Sequence, residues 1–228
     1  MLIVFACVVL GLTGLIILAV NWQSGPSSGT ITIDGARYLA SSDYLSLIGG
    51  KGATIQDSTD LRQIERRIKS SPFVADAYVS TNAKNEIEIS ITERTPVALF
   101  VAPGIGQGYI SAEGTFMPYR LLNRADDLPL AQISGRDSAA AHDILRVIRN
   151  LKRAEYRSES ISEIIRSRKG SISLIDAETG VRYLFGRCES LDKKIKKLQK
   201  VKRIENTVAE LAATNEIDLR WADKAIIR

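Results

Sequence analysis

Ile87, Ile89 and Ile91 alternate with Glu88, Ser90 and Thr92. A period of two with one apolar side predicts a strand packed on a single face. Upstream, Leu61, Ile64 and Ile68 fall at i, i+3 and i+7, while Arg62, Glu65, Arg66 and Lys69 occupy the other directions. That pattern predicts a helix beginning near Ser58 or Thr59 and stopped by Ser71-Pro72. Thr30 to Ile33 alternates and closes on Asp34-Gly35, which predicts an opening strand. Ser42-Asp43 then caps a short helix through Leu45 and Ile48, ended by Gly49-Gly50. Phe73 to Ser80 reads as a strand, and Asn82-Ala83-Lys84-Asn85 as the turn before the isoleucine strand. The order over about 30–96 is β-α-α-β-β, with two helices covering one face of a three-stranded sheet.

The rest of the chain, about 97–228, is richer in strands. Val97–Val101 and Tyr109–Ser111 read as strands, and Ala112-Glu113-Gly114 as a turn into Thr115-Phe116-Met117. A helix is expected from Ser138 to Arg153, with Ile144, Val147, Ile148 and Leu151 on one face. Strands are expected at Ile161–Ile165, Ile172–Ile175 and Val181–Phe185, the last two joined by Glu178-Thr179-Gly180. Leu191, Ile195, Leu198 and Val201 mark an amphipathic, lysine-rich helix. Two short strands, Ile217–Trp221 and Ala225–Arg228, close the chain.

The amino end has a different character. From Leu2 to Val20 every residue is apolar, glycine or threonine, and no charge appears before Asp34. At about 1.5 Å per residue this run is roughly 28 Å of helix, close to the thickness of a hydrocarbon core. A cleaved signal peptide is the competing reading, but no Lys or Arg precedes the run, and Leu18-Ala19-Val20-Asn21 is a poor cleavage site. The expected organisation is an anchor over 1–21, a linker over 22–29, and two folded units over 30–96 and 97–228. Asn21 to Thr30 is rich in Ser, Gly and Pro, as a tether would be, and Trp22 stands where a membrane–water interface favours indole. The fold class is therefore α+β, with an N-terminal transmembrane helix, the β-α-α-β-β domain, and a mixed strand-rich β domain with helices.

Charge and composition narrow the chemistry. Residues 186–205 hold eight basic and three acidic side chains, a net of +5 that equals the total for all 228 residues. The remainder balances to zero, which speaks against a broad nucleic-acid surface. His142 is the only histidine, on a helix face expected to be exposed. Cys7 and Cys188, the only cysteines, fall on opposite sides of the expected membrane boundary, so neither a disulfide nor a zinc site is implied. Cys188 reads as a small buried side chain, not a nucleophile. Pro103-Gly104-Ile105-Gly106-Gln107-Gly108 lies between strands and reads as a flexible loop; a phosphate cradle needs a helix directly after the glycines. No catalytic pair, cofactor site or metal site is expected, and the protein is read as non-enzymatic.

Several local motifs in one order carry a resemblance. These are Ile31-Thr32-Ile33-Asp34-Gly35, Ser71-Pro72-Phe73-Val74 with Ala77 and Val79, and the run Ile89 to Ala98 containing Glu93-Arg94-Thr95-Pro96. Tyr109-Ile110-Ser111-Ala112-Glu113-Gly114 and Ile217-Asp218-Leu219-Arg220-Trp221 complete the set. Together, behind an apolar leader, they resemble the FtsQ/DivIB family of bacterial cell-division proteins over nearly the whole chain. The resemblance implies a POTRA-type domain followed by a β domain, a cytoplasmic amino terminus, and a periplasmic bulk at the division site of the inner membrane. It implies a non-catalytic scaffold that binds divisome proteins of the FtsB/FtsL type through the C-terminal end of its β domain. By position, that surface is Trp221, Ala222, Asp223, Lys224, Ala225, Ile226 and Ile227. An FtsK-type partner is implied for the POTRA-type unit. Glu93, Arg94 and Pro96 stand at the domain junction, where Glu93-Arg94 is expected to set the angle between domains.

Three readings stay open at this point. Trp221 shares a strand face with Ile217 and Leu219, so it closes the core or anchors a partner. The lysine-rich helix is a solvated face, a contact for anionic lipid through Lys193, Lys194, Lys196, Lys197 and Lys200, or a dock for an acidic partner. A POTRA-containing envelope assembly or secretion protein is the alternative function, although 97–228 lacks the repeated strands of about ten residues that a membrane β-barrel needs.

Overall fold

The computed structural model describes residues 31–49, 58–82, 86–124, 127–156, 160–205, 215–221 and 224–227. The expected anchor and linker, most of the Asn82–Asn85 turn, and Ala222 and Asp223 of the candidate surface lie outside them.

The first domain comprises β1 (Ile31–Asp34), α1 (Ser41–Leu47), α2 (Ser58–Lys69), β2 (Val74–Thr81) and β3 (Ile87–Glu93). Its sheet order is β1-β3-β2, with β3 parallel to β1 and antiparallel to β2. The alternation read in β3 holds throughout: Ile87, Ile89 and Ile91 are buried, whereas Glu88, Ser90 and Thr92 are exposed. Each buried isoleucine contributes about 1.5–3 kcal/mol relative to leaving it in water. They pack against Tyr44, Ile48, Ile64, Ile68 and Phe73. The start of α1 differs from the sequence reading. Ala40, not Ser42 or Asp43, is the N-cap residue, and Asp43 reaches back from the first turn to accept the Ala40 amide at 3.1 Å. A carboxylate at that third position serves the N-cap amide from inside the helix.

The second domain is built on nine strands in the order β12-β11-β10-β9-β8-β7-β4-β5-β6. In chain order these are β4 (Pro96–Ala102), β5 (Gly106–Ser111), β6 (Phe116–Pro118), β7 (Leu130–Gln132), β8 (Ile161–Arg166), β9 (Ile172–Asp176), β10 (Arg182–Gly186), β11 (Glu216–Asp218) and β12 (Ile226–Ile227). The sheet is mixed: β4–β7, β7–β8 and β10–β11 pair in parallel and the others antiparallel. Two helices, α3 (Ser138–Arg153) and α4 (Leu191–Glu205), pack on each other and on β8 and β10. The faces read from periodicity are the buried ones: Ile144, Val147 and Leu151 on α3, and Leu191, Ile195 and Leu198 on α4.

Three differences have physical causes. Strand β7 has three residues, too few to display a period, and only its parallel neighbours β4 and β8 define it. The glycine run is not one loop: Gly106, Gln107 and Gly108 already belong to β5. At Gly108 a Cβ would lie 2.1 Å from the Met117 carbonyl oxygen and 2.8 Å from the Phe100 ring, so glycine here admits close strand packing. Finally, Pro96 already belongs to β4, so the second sheet starts there and not at Val97.

The two domains share packing. Tyr109 and Met117 of the second domain are buried in the same cluster as Phe73 and Tyr44 of the first. Phe73 and Tyr109 meet edge to face at 6.5 Å, and Tyr109 stacks on Tyr119 at 5.9 Å. Replacing Gly108 with alanine should lower the unfolding free energy by about 1–3 kcal/mol through overpacking. Chemical denaturation measures this, and an unchanged midpoint would contradict the packing described.

Candidate partner-docking edge and domain junction

At the junction, Glu93 ends β3 with its carboxylate turned toward the loop between β1 and α1. Oε2 accepts the amides of Arg37 at 2.6 Å and Tyr38 at 2.7 Å, and Oε1 accepts the Leu39 amide at 3.1 Å. Oε1 also accepts the Tyr44 hydroxyl at 2.5 Å. Burial first, then the Glu93 carboxylate beside it, push the Tyr44 phenol well above its ordinary pKa, so it stays a donor. All these contacts lie within the first domain. Glu93 thus makes no direct bond across the junction in these contacts; it orders the 37–39 loop, whose Tyr38 carbonyl does reach the second domain. Arg94 is the residue of the pair that faces across the junction, with Nη1 3.8 Å from Glu113, while its Nε is buried without a protein partner. The bridging bonds come from elsewhere. The Asn123 amide donates to the Tyr38 carbonyl at 2.7 Å, the Ala112 amide to the Thr95 carbonyl at 2.9 Å, and Arg120 Nη1 to Asp43 Oδ1 at 3.3 Å.

The C-terminal surface is assembled from β11, β12 and α4. Ile217 and Leu219 are fully buried, but Trp221 is 52% exposed. The strand expected to run to Trp221 ends at Asp218, and the reason is local. The buried Asp218 carboxylate accepts the Arg220 amide at 3.0 Å and is gripped by the Arg220 guanidinium at 2.9 and 2.6 Å. A carboxylate bonding the amide two residues on turns the chain and breaks the alternation. Gly186, at φ +67°, lies beneath the Arg220 stem, where a Cβ would meet Cγ at 3.1 Å. Trp221 therefore leaves the sheet plane, and the Lys224 ammonium lies 5.4 Å from its ring centroid.

Strand β12 is one of the two edge strands of this sheet, β6 being the other. It pairs with β11 through Ile217–Ile227 and Asp218–Ile226, and its other edge has no strand beside it among the described residues. Ile227 is 53% exposed, and Ala225 packs on the core. Of the seven surface residues named from sequence, the structure thus places Trp221, Lys224, Ala225, Ile226 and Ile227 at this one edge.

The five lysines named on α4 divide. Lys193, Lys196 and Lys200 are exposed along one side of the helix. Lys194 and Lys197 are half-buried and turned inward. The Lys194 amine donates to the Arg187 carbonyl at 2.9 Å, and burial pulls its pKa below the ordinary value. Lys197 donates to main-chain carbonyls of the β11–β12 connection. Near the other end of α4, Lys202 meets the buried Asp176 at 2.6 Å. Sequence reading named Lys197 only as a surface lysine and gave no role to Asp176 or Asp218. For Asp176 a signal existed: Asp-x-x-Thr-Gly is an Asx-turn pattern, and Asp176 Oδ1 does accept the Thr179 amide at 2.9 Å. Cys188 is buried, with its thiol pushed up to about 11 mainly by that burial. His142 is exposed, and among the described residues no group of three His, Cys, Asp or Glu side chains is placed to hold a metal ion.

A three-stranded β-α-α-β-β unit followed by a long mixed sheet, with an open edge strand and an exposed aromatic beside it, defines a two-domain POTRA protein. The comparisons narrow this class. The POTRA domain of FtsQ type matches residues 27–94, and the family described as FtsQ/DivIB, C-terminal related, matches residues 95–227. The chain belongs to the FtsQ/DivIB family. It is similar to the cell division protein FtsQ of Geotalea daltonii, 23% identical over 87% of this chain and 74% of the relative. It is also similar to the cell division protein FtsQ of Myxococcus fulvus, 28% identical over 63% of this chain and 52% of that relative.

Replacing Glu93 with alanine would leave three amides and a phenol without their acceptor. Stability should fall by about 3 kcal/mol, read by urea denaturation. Asp176 gives a pH test. Burial alone would raise its pKa, but Lys202 and the Thr179 donors outweigh that and hold it below the ordinary carboxylate value. A depressed folded-state pKa contributes stability that is present above about pH 4 and is lost as pH falls through the folded value. The stability gap between the wild type and Asp176→Asn should therefore be full at pH 7 and shrink in acid, followed by denaturation across that range.

Proposed function

We propose that the chain is a membrane-anchored, non-catalytic scaffold of the bacterial division machinery, holding divisome proteins of the FtsB/FtsL type at the β12 edge. The observation that carries the reading is the open edge strand flanked by an exposed tryptophan. Main-chain groups of an edge strand can accept a further strand, which supplies affinity, while side chains beside the edge supply specificity. Trp221, half exposed with its main-chain carbonyl held by Lys197, has the character of an anchor residue at such a site. Family membership and the printed names of the two relatives support a division role.

The membrane anchor is proposed on the apolar run Leu2–Val20. Among the described residues no helix is long and apolar enough to cross a membrane, and the run lies outside them. The amino terminus then faces the cytoplasm and both folded domains face the periplasm. The first domain is the proposed dock for an FtsK-type partner. Contact with anionic lipid, where it forms, falls to Lys193, Lys196 and Lys200, which are the exposed three of the five lysines named; a salt-sensitive liposome assay measures it.

Replacing Trp221 with alanine should weaken capture of an FtsB-type partner by about 30-fold, equivalent to about 2 kcal/mol, while the protein still melts cooperatively. A fluorescent fusion of the wild type should concentrate at midcell. Undiminished capture by the variant would remove Trp221 from the interface, and uniform membrane fluorescence would contradict a division scaffold.

A further inference from the structure

Strand β12 is held to the sheet by a two-residue ladder, Ile217–Ile227 and Asp218–Ile226. So short a ladder is marginal alone, since an isolated pair of strands needs further packing to persist. Yet the proposed docking edge requires β12 to stay in place with Trp221 beside it. Something outside the ladder must order the connection between β11 and β12.

Lys197 is the residue placed to do so. It lies midway along α4, in the half-buried layer between the exposed stripe and the core residues Ile195 and Leu198. Its Nζ lies within hydrogen-bonding reach of three main-chain carbonyls of the connection: Leu219 at 3.5 Å, Lys224 at 3.3 Å, and Trp221. An ammonium carries three donors and no acceptor, so one amine can serve all three oxygens. Leu219 makes its last amide bond to the Leu184 carbonyl of β10, and Trp221 and Lys224 lie between the strands, where no ladder pairs their carbonyls. Trp221 and Lys224 are also the two residues joined by the cation–π contact. The amine therefore grips the backbone of both partners in that contact and the last core residue before it.

We propose that Lys197 is a positioning residue for the docking edge: from α4 its ammonium clamps the β11–β12 connection, and that clamp holds β12 and Trp221 in the arrangement a partner meets. The clamp stands on geometry within this chain. Its consequence for capture rests on the docking function proposed above. Preorganisation lowers the ordering cost of association, so the clamp acts on affinity without touching the partner. Arginine is no substitute, because its planar fork reaches outward to paired acceptors and cannot fill a point where three carbonyls converge.

The test uses the full chain in detergent micelles, comparing wild type, Lys197→Met, Lys197→Arg and Trp221→Ala by amide hydrogen exchange and by capture of an FtsB-type partner. Both Lys197 variants should speed exchange at Ile226 and Ile227 by tenfold or more, leave the β4–β5 amides unchanged, and reduce capture at least fivefold. Unchanged exchange at Ile226–Ile227, or acceleration spread evenly over all strands, overturns the clamp. The two readings fail separately. Normal capture by Trp221→Ala counts against the docking edge whatever Lys197 does, while lost capture by Trp221→Ala beside normal capture by the Lys197 variants overturns the clamp alone.

Discussion

Irregular backbone is expensive to hold in one place, because its amides and carbonyls lack the ladders that satisfy them in helices and sheets. In this protein single charged side chains meet that need at both ends of the fold. The Glu93 carboxylate gathers three consecutive amides of the loop before α1, together with the Tyr44 hydroxyl. At the far end, the Lys197 ammonium gathers carbonyls of the turn after β11. The first interaction shapes the surface on which the second domain rests. The second shapes the edge that domain presents.

The junction follows from the first of these. With the 37–39 loop held, the Tyr38 carbonyl is presented to the Asn123 amide, and α1 offers Asp43 to Arg120. Tyr109 and Met117 then complete a core that neither domain encloses alone. Shared apolar burial supplies the bulk of the contact, and these few polar bonds give it direction. The domain boundary in the chain, near Pro96, is thus not a boundary in the packing.

The β12 edge is more weakly built than the rest of the sheet. Strands β4, β5, β8 and β9 pair over five or six residues, whereas β11 has three residues and β12 two. Short edge strands limit unwanted strand addition. Here the same shortness leaves the edge dependent on side chains from α4 and on the Asp218–Arg220 fork. A strand added at β12 would lie beside the Trp221 ring, over which the Lys224 ammonium sits.

Where one residue type meets one periodicity, local chemistry alone sufficed. The isoleucine strand, the 138–153 helix and the faces of α2 and α4 are legible because burial on one side leaves a period of two or 3.6 in the sequence. The motifs behind the family resemblance are legible for the same reason: they are local. What residues do across distance in the chain is not written in any window. Glu93 bonds to amides 54–56 positions earlier, and Lys197 to carbonyls 22–27 positions later. The exposure of Trp221 depends on the Asp218 carboxylate, three residues before it, being buried and bonded to Arg220. Sequence determined most of the elements, their order and the kind of protein; tertiary structure decided the short strand β7, which charges turn inward and how the β12 edge is held, because satisfying buried polar groups is a property of the assembled fold.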